Sequence, residues 1–274
     1  MRKFKDNTLR ALLWFSAFLT VSVLVVIVGY IFMKGYKHIS FDFIFGDYSA
    51  TGGGGIWPMI VTTLYTIGIS LLIATPIGIL AAVYLQEYAK QGKMVKLIRY
   101  ATESLTGIPS IIYGLFGAVF FVTSLKLGMS IIAGSLTLAI IVLPVIIRTT
   151  EESLKTVPRS YREGSLALGG TKLQTLYKVI VPSAMPGILA GIILSIGRII
   201  GESAAIFLTA GTVAAMPDSI FSSARTLTVH SYLVTQESGD IGLAAAIGIV
   251  LIVIILALNL SATYISKKFN KADY

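Results

Sequence analysis

Long apolar runs separated by short polar connections dominate this chain. Six of the runs are long enough to cross a bilayer core, which takes a helix of about 20 apolar residues. They cover approximately residues 12–33, 59–84, 105–125, 130–147, 186–209 and 241–265. The pattern therefore predicts an all-α integral membrane protein with six transmembrane helices, built as a single domain over residues 1–274.

Features inside and between the runs refine this picture. The first run is longer than the core of a signal peptide, and no small-x-small cleavage site follows it, so we expect a retained helix. Pro76 predicts a kink in the second run. In the basic connection that follows, Val95, Leu97 and Ile98 indicate a helix on the cytoplasmic membrane surface. Gly52–Gly55 predict a flexible turn, because no strand precedes them and no Lys-Ser/Thr pair follows.

Composition supports a membrane protein and narrows its chemistry. Hydrophobic residues make up 55% of the chain, charged residues make up 13%, and the mean hydropathy is +0.84. The six runs leave no room for a soluble ATP-hydrolysing domain, and the sequence lacks a GxxxxGK[ST] phosphate loop. It also lacks cysteine, which excludes disulfides and Cys-ligated metal sites. We therefore expect no enzymatic activity, no catalytic residue, no metal site and no cofactor in this chain.

The distribution of charge orients the predicted helices. The formal net charge is +9, and sixteen Lys and Arg residues fall in the four segments that we assign to the cytoplasm. Because basic residues concentrate on the cytoplasmic side of membrane proteins, this asymmetry predicts that both termini are cytoplasmic. The basic residues cluster at the ends of apolar runs, which favours contact with membrane lipid over binding to nucleic acid. The outer connections hold only Lys34, Lys37, Lys126 and Arg225.

The cytoplasmic segment between residues 149 and 183 carries several helix start and stop signals. Gly169 and Gly170 can end a short helix. Gly164 and Ser165 leave one helix face almost free of side chains, so such a helix could lie deep in a groove on another protein. A basic loop facing anionic lipid is an equally good interpretation of the residues alone. Three pairs have capping-box spacing: Thr149 with Glu152, Ser160 with Glu163, and Thr171 with Gln174.

Two charges interrupt the fifth run. An isolated Arg198 or Glu202 at that depth would cost at least ~2.5–3.5 kcal/mol, so something must compensate each charge. One helical turn apart, they could pair with each other as a buried structural ion pair. Alternatively they could line an anion pathway, in which Arg198 attracts the substrate and Glu202 orients it or closes the gate. The insertion cost favours the pathway, and the planar fork of arginine suits oxyanions.

Two further features accompany these charges. Arg148 follows the fourth run and could add a second positive group at the cytoplasmic exit of the pathway, or it could be an interfacial topology residue. The fifth run also has the small-xxx-small pattern of tight helix packing, at Gly187, Gly191, Gly197 and Gly201.

A resemblance to a known family adds to this interpretation. The segment EGSLALGGTKLQTLYKVIVP resembles the EAA loop of ABC importer permeases, whose pattern is E-A-A, three residues, G, nine residues and I-x-L-P. Glu163 and Gly169 match this pattern, and Pro182 takes the position of its proline. Gly164 and Ser165 replace its two alanines by residues that are equally small. The resemblance implies a type I ABC importer permease fold in which these residues couple the chain to a separate ATPase subunit.

A second resemblance concerns the substrate. The segment GRIIGESAAIFLTAG resembles the GRAxGETAPLxxTA segment of phosphate importer permeases of the PstA type. Ser203 and Ala205 depart from its Thr and Pro. The segments GGGGIWPMIVTTLY, GIPSIIYGLFG and LPVIIRTTEESLKTVP resemble other blocks of the same family, so the resemblance extends from about residue 52 to residue 265. It implies a multi-pass permease for inorganic phosphate in the plasma (inner) membrane of a bacterium or an archaeon.

The same resemblance implies partners and leaves alternatives. A second homologous permease would enclose one pathway with this chain, and an ATPase dimer that binds ATP and Mg²⁺ would dock below. An extracytoplasmic phosphate-binding protein would deliver the ion. The nearest alternative is a permease for another oxyanion, such as sulfate or molybdate. A secondary transporter without an ATPase is less well supported, because the sequence shows neither inverted repeats nor a self-contained coupling-ion site.

Overall fold

All regular structure in the described part of the chain is helical, which confirms the predicted all-α membrane fold. The computed structural model describes residues 2–49 and 54–270. Gly52 and Gly53 of the predicted flexible turn lie outside the described residues, as does Lys271 near the carboxyl terminus.

Long helices alternate with short connecting ones. In chain order they are α1 (Arg2–Gly35), α2 (Phe41–Phe45), α3 (Trp57–Val83), α4 (Lys93–Thr106), α5 (Ser110–Gly117), α6 (Ile131–Thr156), α7 (Arg159–Ala167), α8 (Lys172–Thr175), α9 (Val181–Gly201), α10 (Ala204–Thr209), α11 (Leu227–Glu237) and α12 (Ile241–Asn270). π-Helical turns extend α3 over Tyr84–Tyr88, extend α5 over Ala118–Ser124 and precede α9 over Leu176–Ile180.

Five helical stretches of the described chain are long and apolar enough to cross a membrane, and a sixth crossing results if one bent helix pair counts as a span. Five of the six predicted runs overlap these stretches. The fourth predicted run ends at residue 147, whereas the corresponding helix, α6, continues to Thr156. The first part of the predicted coupling loop therefore belongs to α6. The five stretches are Leu9–His38, Trp57–Tyr88, Ile131–Thr156, Lys172–Gly201 and Ile241–Tyr264.

The third predicted run, residues 105–125, does not form one straight helix. α4 and the helical stretch Ser110–Ser124 meet at 98°. Pro109 lies at this corner, where proline lacks the N–H that would continue α4 and disfavours a helical conformation of the residue before it. Leu105 therefore belongs to α4, and the part that could cross the membrane starts at Ser110.

α6 lies at the centre of the molecule, between α3 and α9. Its buried residues Leu138 and Val142 belong to a core that also contains Ile67 of α3 and Ile199 of α9. A small residue permits the close approach of α3, because a Cβ at Gly78 would lie 2.6 Å from Ile146 Cγ2. At the periphery α1 packs along α12 and leaves most of its own apolar surface exposed. This core holds the break in the fifth predicted run, which is described next.

Candidate functional site

The fifth predicted run, residues 186–209, is broken at Glu202. α9 ends at Gly201, Glu202 has extended backbone angles (φ −81°, ψ 121°), and α10 begins at Ala204. The Glu202 side chain is half-buried, and its Oε1 accepts a hydrogen bond of 3.4 Å from the backbone N–H of Ala205. Glu202 therefore helps to satisfy the free N–H groups at the start of α10. Non-helical backbone inside a membrane protein is tolerated where it is buried in protein or lines a polar cavity.

Arg198 lies in the last turn of α9, one turn before this break. Its side chain is half-buried and forms no hydrogen bond or ion pair with any described residue. The predicted option of an ion pair with Glu202 on one helix face is wrong, because the helix ends between the two residues. The negative end of the α9 dipole favours a cation at this position. Arg198 also lies within electrostatic reach of Tyr113.

The small residues of α9 fall into two groups. Gly187 and Gly191 contact α6, and a Cβ at Gly191 would lie 2.0 Å from Thr149 Oγ1. At Gly197 and Gly201 no described atom lies within 4 Å of the place where a Cβ would stand. Tight packing is thus confirmed for the first pair and does not occur for the second pair within this chain. The open face of α9 is the face beside Arg198.

The connection after α10, an outer connection in the predicted topology, packs against the helices on both sides of this break. The backbone N–H groups of Ala224 and Arg225 donate to the carbonyl groups of Ala210 and Val213, at 3.1 and 2.9 Å. The next helix, α11, then contacts two transmembrane helices: its Leu227 N–H donates to Thr63 Oγ1 of α3 at 3.0 Å, and its Thr228 hydroxyl donates to the Ile200 carbonyl.

The sequence pattern predicts a partial helix within residues 217–240 and indicates no role for it. The helix is α11, and its N-cap residue Thr226, whose Oγ1 accepts from the Val229 N–H at 3.4 Å, marks where it starts. The contacts of α11 place it next to the carboxyl end of α9, and thus next to Arg198 and Glu202.

Arg148 lies at the other end of the molecule, on α6. Its Nη1 is 3.0 Å from Glu103 Oε1 of α4, and both side chains are largely exposed. A second ion pair between the same helices joins Arg99 and Glu151 at 3.0 Å, with the Glu151 side chain only 8% exposed. The two pairs line a cleft that also contains Pro144. Arg148 therefore has a protein partner, and sequence reasoning missed both acidic partners because they are distant in the chain.

The predicted coupling residues lie on and after the short helix α7. Glu163 is exposed and has no ion-pair partner among the described residues, and no described atom lies within 4 Å of where a Gly164 Cβ would stand. The Ser165 and Thr175 hydroxyl oxygens are 2.8 Å apart, which ties α7 to α8. Gly169 has φ +84°, a conformation that favours glycine, and ends the helix as predicted.

The helix boundaries of this segment differ in part from the prediction. Thr171 and Gln174 do form a capping box at the start of α8. Thr149 lies inside α6, and α7 starts after Pro158 with no side-chain cap, so the other two predicted boxes are wrong. Proline at the first helical position is favourable because its missing N–H needs no partner there, and Pro182 accordingly stands in the first turn of α9.

A partly buried ion pair anchors α7 to the transmembrane helices. Arg162 Nη2 lies 2.6 Å from Glu87 Oε1 in the π-helical turn after α3. The same guanidinium donates to the Val157 and Leu154 carbonyl groups at 2.9 and 3.1 Å. Nearby, the Lys172 ammonium lies 4.4 Å from the centre of the Tyr88 ring. These contacts attach the segment to the end of α3, and they join residues too distant in the chain for a sequence pattern to indicate them.

The outward surface of the same segment is apolar. Leu168 is 91% exposed, and Tyr161 and Leu166 are about half exposed (50% and 51%). Tyr161 and Leu168 line a shallow groove with Gly170. Exposed apolar residues grouped beside polar ones mark surfaces that bind another protein or a membrane.

Comparison with known proteins identifies the family. Residues 74–271 match the family described as binding-protein-dependent transport system inner membrane component. The probable ABC transporter permease protein YqgI of Bacillus subtilis is 35% identical over 98% of both chains. The phosphate transport system permease protein PstA of Pasteurella multocida is 36% identical over 76% of this chain and 75% of its own length.

Solved structures agree with this assignment at the level of the fold. A chain of a bacterial alginate ABC transporter, solved in complex with an alginate pentasaccharide-bound periplasmic protein, superimposes over 99% of both chains with a TM-score of 0.70 and 18% identity. A chain of the MetNI methionine ABC transporter covers 78% of this chain with a TM-score of 0.60 and 19% identity. The chain described here therefore belongs to the binding-protein-dependent inner membrane components, the multi-pass permease subunits of ABC importers.

Proposed function

We propose that this permease carries inorganic phosphate into the cytoplasm by alternating access, driven by a separate ATPase. The observation that carries the proposal is Arg198, a half-buried cation without a protein partner in the described chain, next to the helix break at Glu202. The surrounding sequence resembles that of phosphate permeases, and relatives from Pasteurella multocida and Mycobacterium tuberculosis described as phosphate transport permeases are 36% and 33% identical.

The chemistry of Arg198 and Glu202 suits an oxyanion. An arginine with unoccupied donors can offer two parallel hydrogen bonds to phosphate oxygens. Glu202 can orient a protonated phosphate by accepting a hydrogen bond, or it can repel the anion when the pathway closes. The open face at Gly197 and Gly201 leaves room beside Arg198 for an anion or for a second permease subunit.

Coupling to ATP hydrolysis is assigned to α7. In this proposal the exposed Glu163 and the bare helix surface at Gly164 and Ser165 dock on the ATPase, and Gly169 and Pro182 set the ends of the docking segment. The Arg162–Glu87 ion pair then passes the movement of α7 to α3. Arg148 contributes a positive group at the cytoplasmic exit. To bind there, the anion would have to replace Glu103 as the ion-pair partner of Arg148.

The proposal requires three partners. They are a second homologous permease, an ATPase dimer that holds ATP and Mg²⁺, and an extracytoplasmic phosphate-binding protein. The alginate transporter chain, which has the same fold, was solved in complex with a periplasmic protein. Membrane lipid surrounds the remaining apolar surface, of which α1 contributes a large part.

The test is phosphate uptake by the purified complex in liposomes, with ATP enclosed and the binding protein outside. We expect uptake that requires ATP and the binding protein and resists excess sulfate. ATP-dependent uptake that sulfate or molybdate blocks would keep the ABC importer and assign another oxyanion. Uptake that proceeds without the ATPase would contradict the coupling role of α7 and point to a secondary transporter.

A further inference from the structure

Three residues from distant parts of the sequence meet in the outer connections, and we call them the outer cluster: Tyr48, Arg225 and His230. The Arg225 guanidinium carbon lies 4.7 Å from the centre of the Tyr48 ring. The His230 ring meets the same Tyr48 ring edge-on, with the ring centres 5.8 Å apart. Arg225 precedes α11 and His230 lies in its first turns, so α11 fixes the spacing of both side chains.

Arg225 is a buried cation without an anionic partner. Its exposure is only 7%, its side chain forms no ion pair or hydrogen bond with a described residue, and its Nε is enclosed and unpaired. Asp47 is adjacent to Tyr48 in the chain, yet it forms no ion pair with Arg225. Stacking on an aromatic ring compensates a desolvated cation only partly, whereas enclosing a charged donor without a partner is costly.

His230 adds a second unpaired group. It is 4% exposed, and its Nδ1 is enclosed without a hydrogen-bond partner. Burial first, and the Arg225 charge second, lower the pKa of His230 to about 4, so the imidazole is neutral at neutral pH. A neutral imidazole can donate one hydrogen bond without adding a second buried charge.

The donors of Arg225 are unoccupied within the described chain. Its Nε is enclosed and unpaired, and its two Nη groups form no hydrogen bond or ion pair with a described residue. A rigid fork held on a tyrosine ring, with unoccupied donors and no carboxylate bound among the described residues, matches the donor geometry that oxyanions require.

We propose that the outer cluster is an oxyanion-binding site, separate from Arg198, that takes up phosphate released on the outer side. Arg225 supplies the charge and two parallel donors, His230 supplies one neutral donor, and Tyr48 holds the guanidinium in place. α11 connects the two sites, because its first turn contacts the carboxyl end of α9, where Arg198 lies. The inference rests on the proposed oxyanion import, whereas its geometry does not involve Arg198 or Glu202.

The experiment is equilibrium binding of radioactive inorganic phosphate to the intact complex in nanodiscs, without the binding protein and without ATP. We compare the wild type with Arg225→Gln, Arg225→Lys and Arg198→Ala. Arg225→Gln should weaken one class of phosphate site about tenfold or more, because it removes a charge-assisted donor pair. Arg198→Ala should leave that class unchanged. Arg225→Lys should bind with intermediate affinity, because it keeps the charge and loses the fork.

Thermal unfolding of each variant separates binding from structure. Arg225→Gln could lower the unfolding temperature and still bind phosphate with wild-type affinity. In that case Arg225 only stabilises the fold through its contact with Tyr48, and the proposal is overturned. If Arg225→Gln does not assemble, Arg225→Lys is used as the test variant. A phosphate affinity of Arg225→Lys equal to that of the wild type would also overturn the proposal. The same titration with sulfate shows which oxyanion the cluster takes. Failure of ATP-driven phosphate uptake in the wild type would refute the proposed function instead, without changing these binding results.

Discussion

Arg198 and Arg162 are both shielded arginines of this chain, but their surroundings differ. The guanidinium of Arg162 contacts Glu87 and two backbone carbonyl groups. The side chain of Arg198 has no hydrogen-bond or ion-pair partner within the described residues. Satisfied donors hold a structure together, whereas unoccupied donors are free to bind a ligand. Substitution should therefore affect transport at Arg198 and stability at Arg162.

The first prediction concerns Arg198→Ala. This variant should assemble with its partners and lose phosphate uptake, because it removes the unpaired charge of the pathway without breaking an ion pair. Uptake by the reconstituted complex is the measurement, with size-exclusion chromatography as the check of assembly. Arg198→Lys keeps the charge without the planar fork and should retain part of the activity. Normal uptake by Arg198→Ala would rule out the pathway role.

The second prediction concerns Arg162→Ala. The variant removes one partner of a partly buried pair and two hydrogen bonds to backbone carbonyl groups, so the free energy of unfolding should fall by about 1–3 kcal/mol. Lys155→Ala is the matched control, since it breaks an exposed pair with Glu152 at 2.9 Å and should cost about 1 kcal/mol or less. Chemical denaturation in detergent compares the two variants. Equal losses in both would show that Arg162 does not anchor α7.

Among whole elements, the packing of α9 against α6 depends on small residues, while the other face of α9 is open. Gly191 contacts Thr149 directly, and Gly197 has no described neighbour within 4 Å of a Cβ position. A single helix thus carries a rigid face toward the core and a free face beside Arg198. Alternating access needs elements that move as units, and tight contact makes α6 and α9 such a unit.

The third prediction tests this contact with Gly191→Ala. The added Cβ would stand 2.0 Å from Thr149 Oγ1 and 2.8 Å from Thr149 Cβ, so the helices must shift. Overpacking of this kind costs typically about 1–3 kcal/mol, and the unfolding temperature should fall. Gly68→Ala in α3 is the control, because no described atom lies within 4 Å of its Cβ position. A Gly191→Ala protein as stable as Gly68→Ala would contradict the close packing.

For the whole molecule, the proposed function requires that movement at α7 alter the proposed pathway near the opposite end of α9. The helix break at Glu202 and the outer cluster lie toward the outer connections, and α7 lies beyond the other end of α6 and α9. Ion pairs link the segments around that end: Arg162–Glu87 joins α7 to α3, and Arg99–Glu151 joins α4 to α6. Under the proposed coupling, a displacement of α7 would act first on α3, through the Arg162–Glu87 ion pair.

The fourth prediction concerns Glu163→Lys. Glu163 is exposed and has no ion-pair partner in the described chain, so the permease itself should stay as stable as the wild type. Charge reversal on a docking surface weakens the complex with the ATPase, which should dissociate or hydrolyse ATP without transport. Glu237→Lys is the control, an exposed residue at the end of α11. Retention of a fully coupled ATPase by Glu163→Lys would refute the docking assignment.

Sequence patterns predicted the helices well and the breaks poorly. The apolar runs located the long helices because length and hydrophobicity are local properties, and Gly169, Thr171 and Gln174 marked real helix ends for the same reason. The corner at Pro109 and the end of α9 at Gly201 were missed. In both places the apolar pattern resumes within a few residues of the break, so each run was interpreted as one continuous helix although Pro109 and Glu202 stand at the breaks.

The sequence by itself determined the all-helical membrane fold, the family and the candidate residues Arg198, Glu202 and Glu163. Those conclusions follow from composition and from motifs whose residues are neighbours in the chain. Only the tertiary structure decided that Arg198 and Glu202 do not pair with each other, and that Arg225 lies on Tyr48 without an acidic partner among the described residues. The physical reason is that charge compensation in a protein depends on which side chains meet across helices, and no local pattern specifies those meetings.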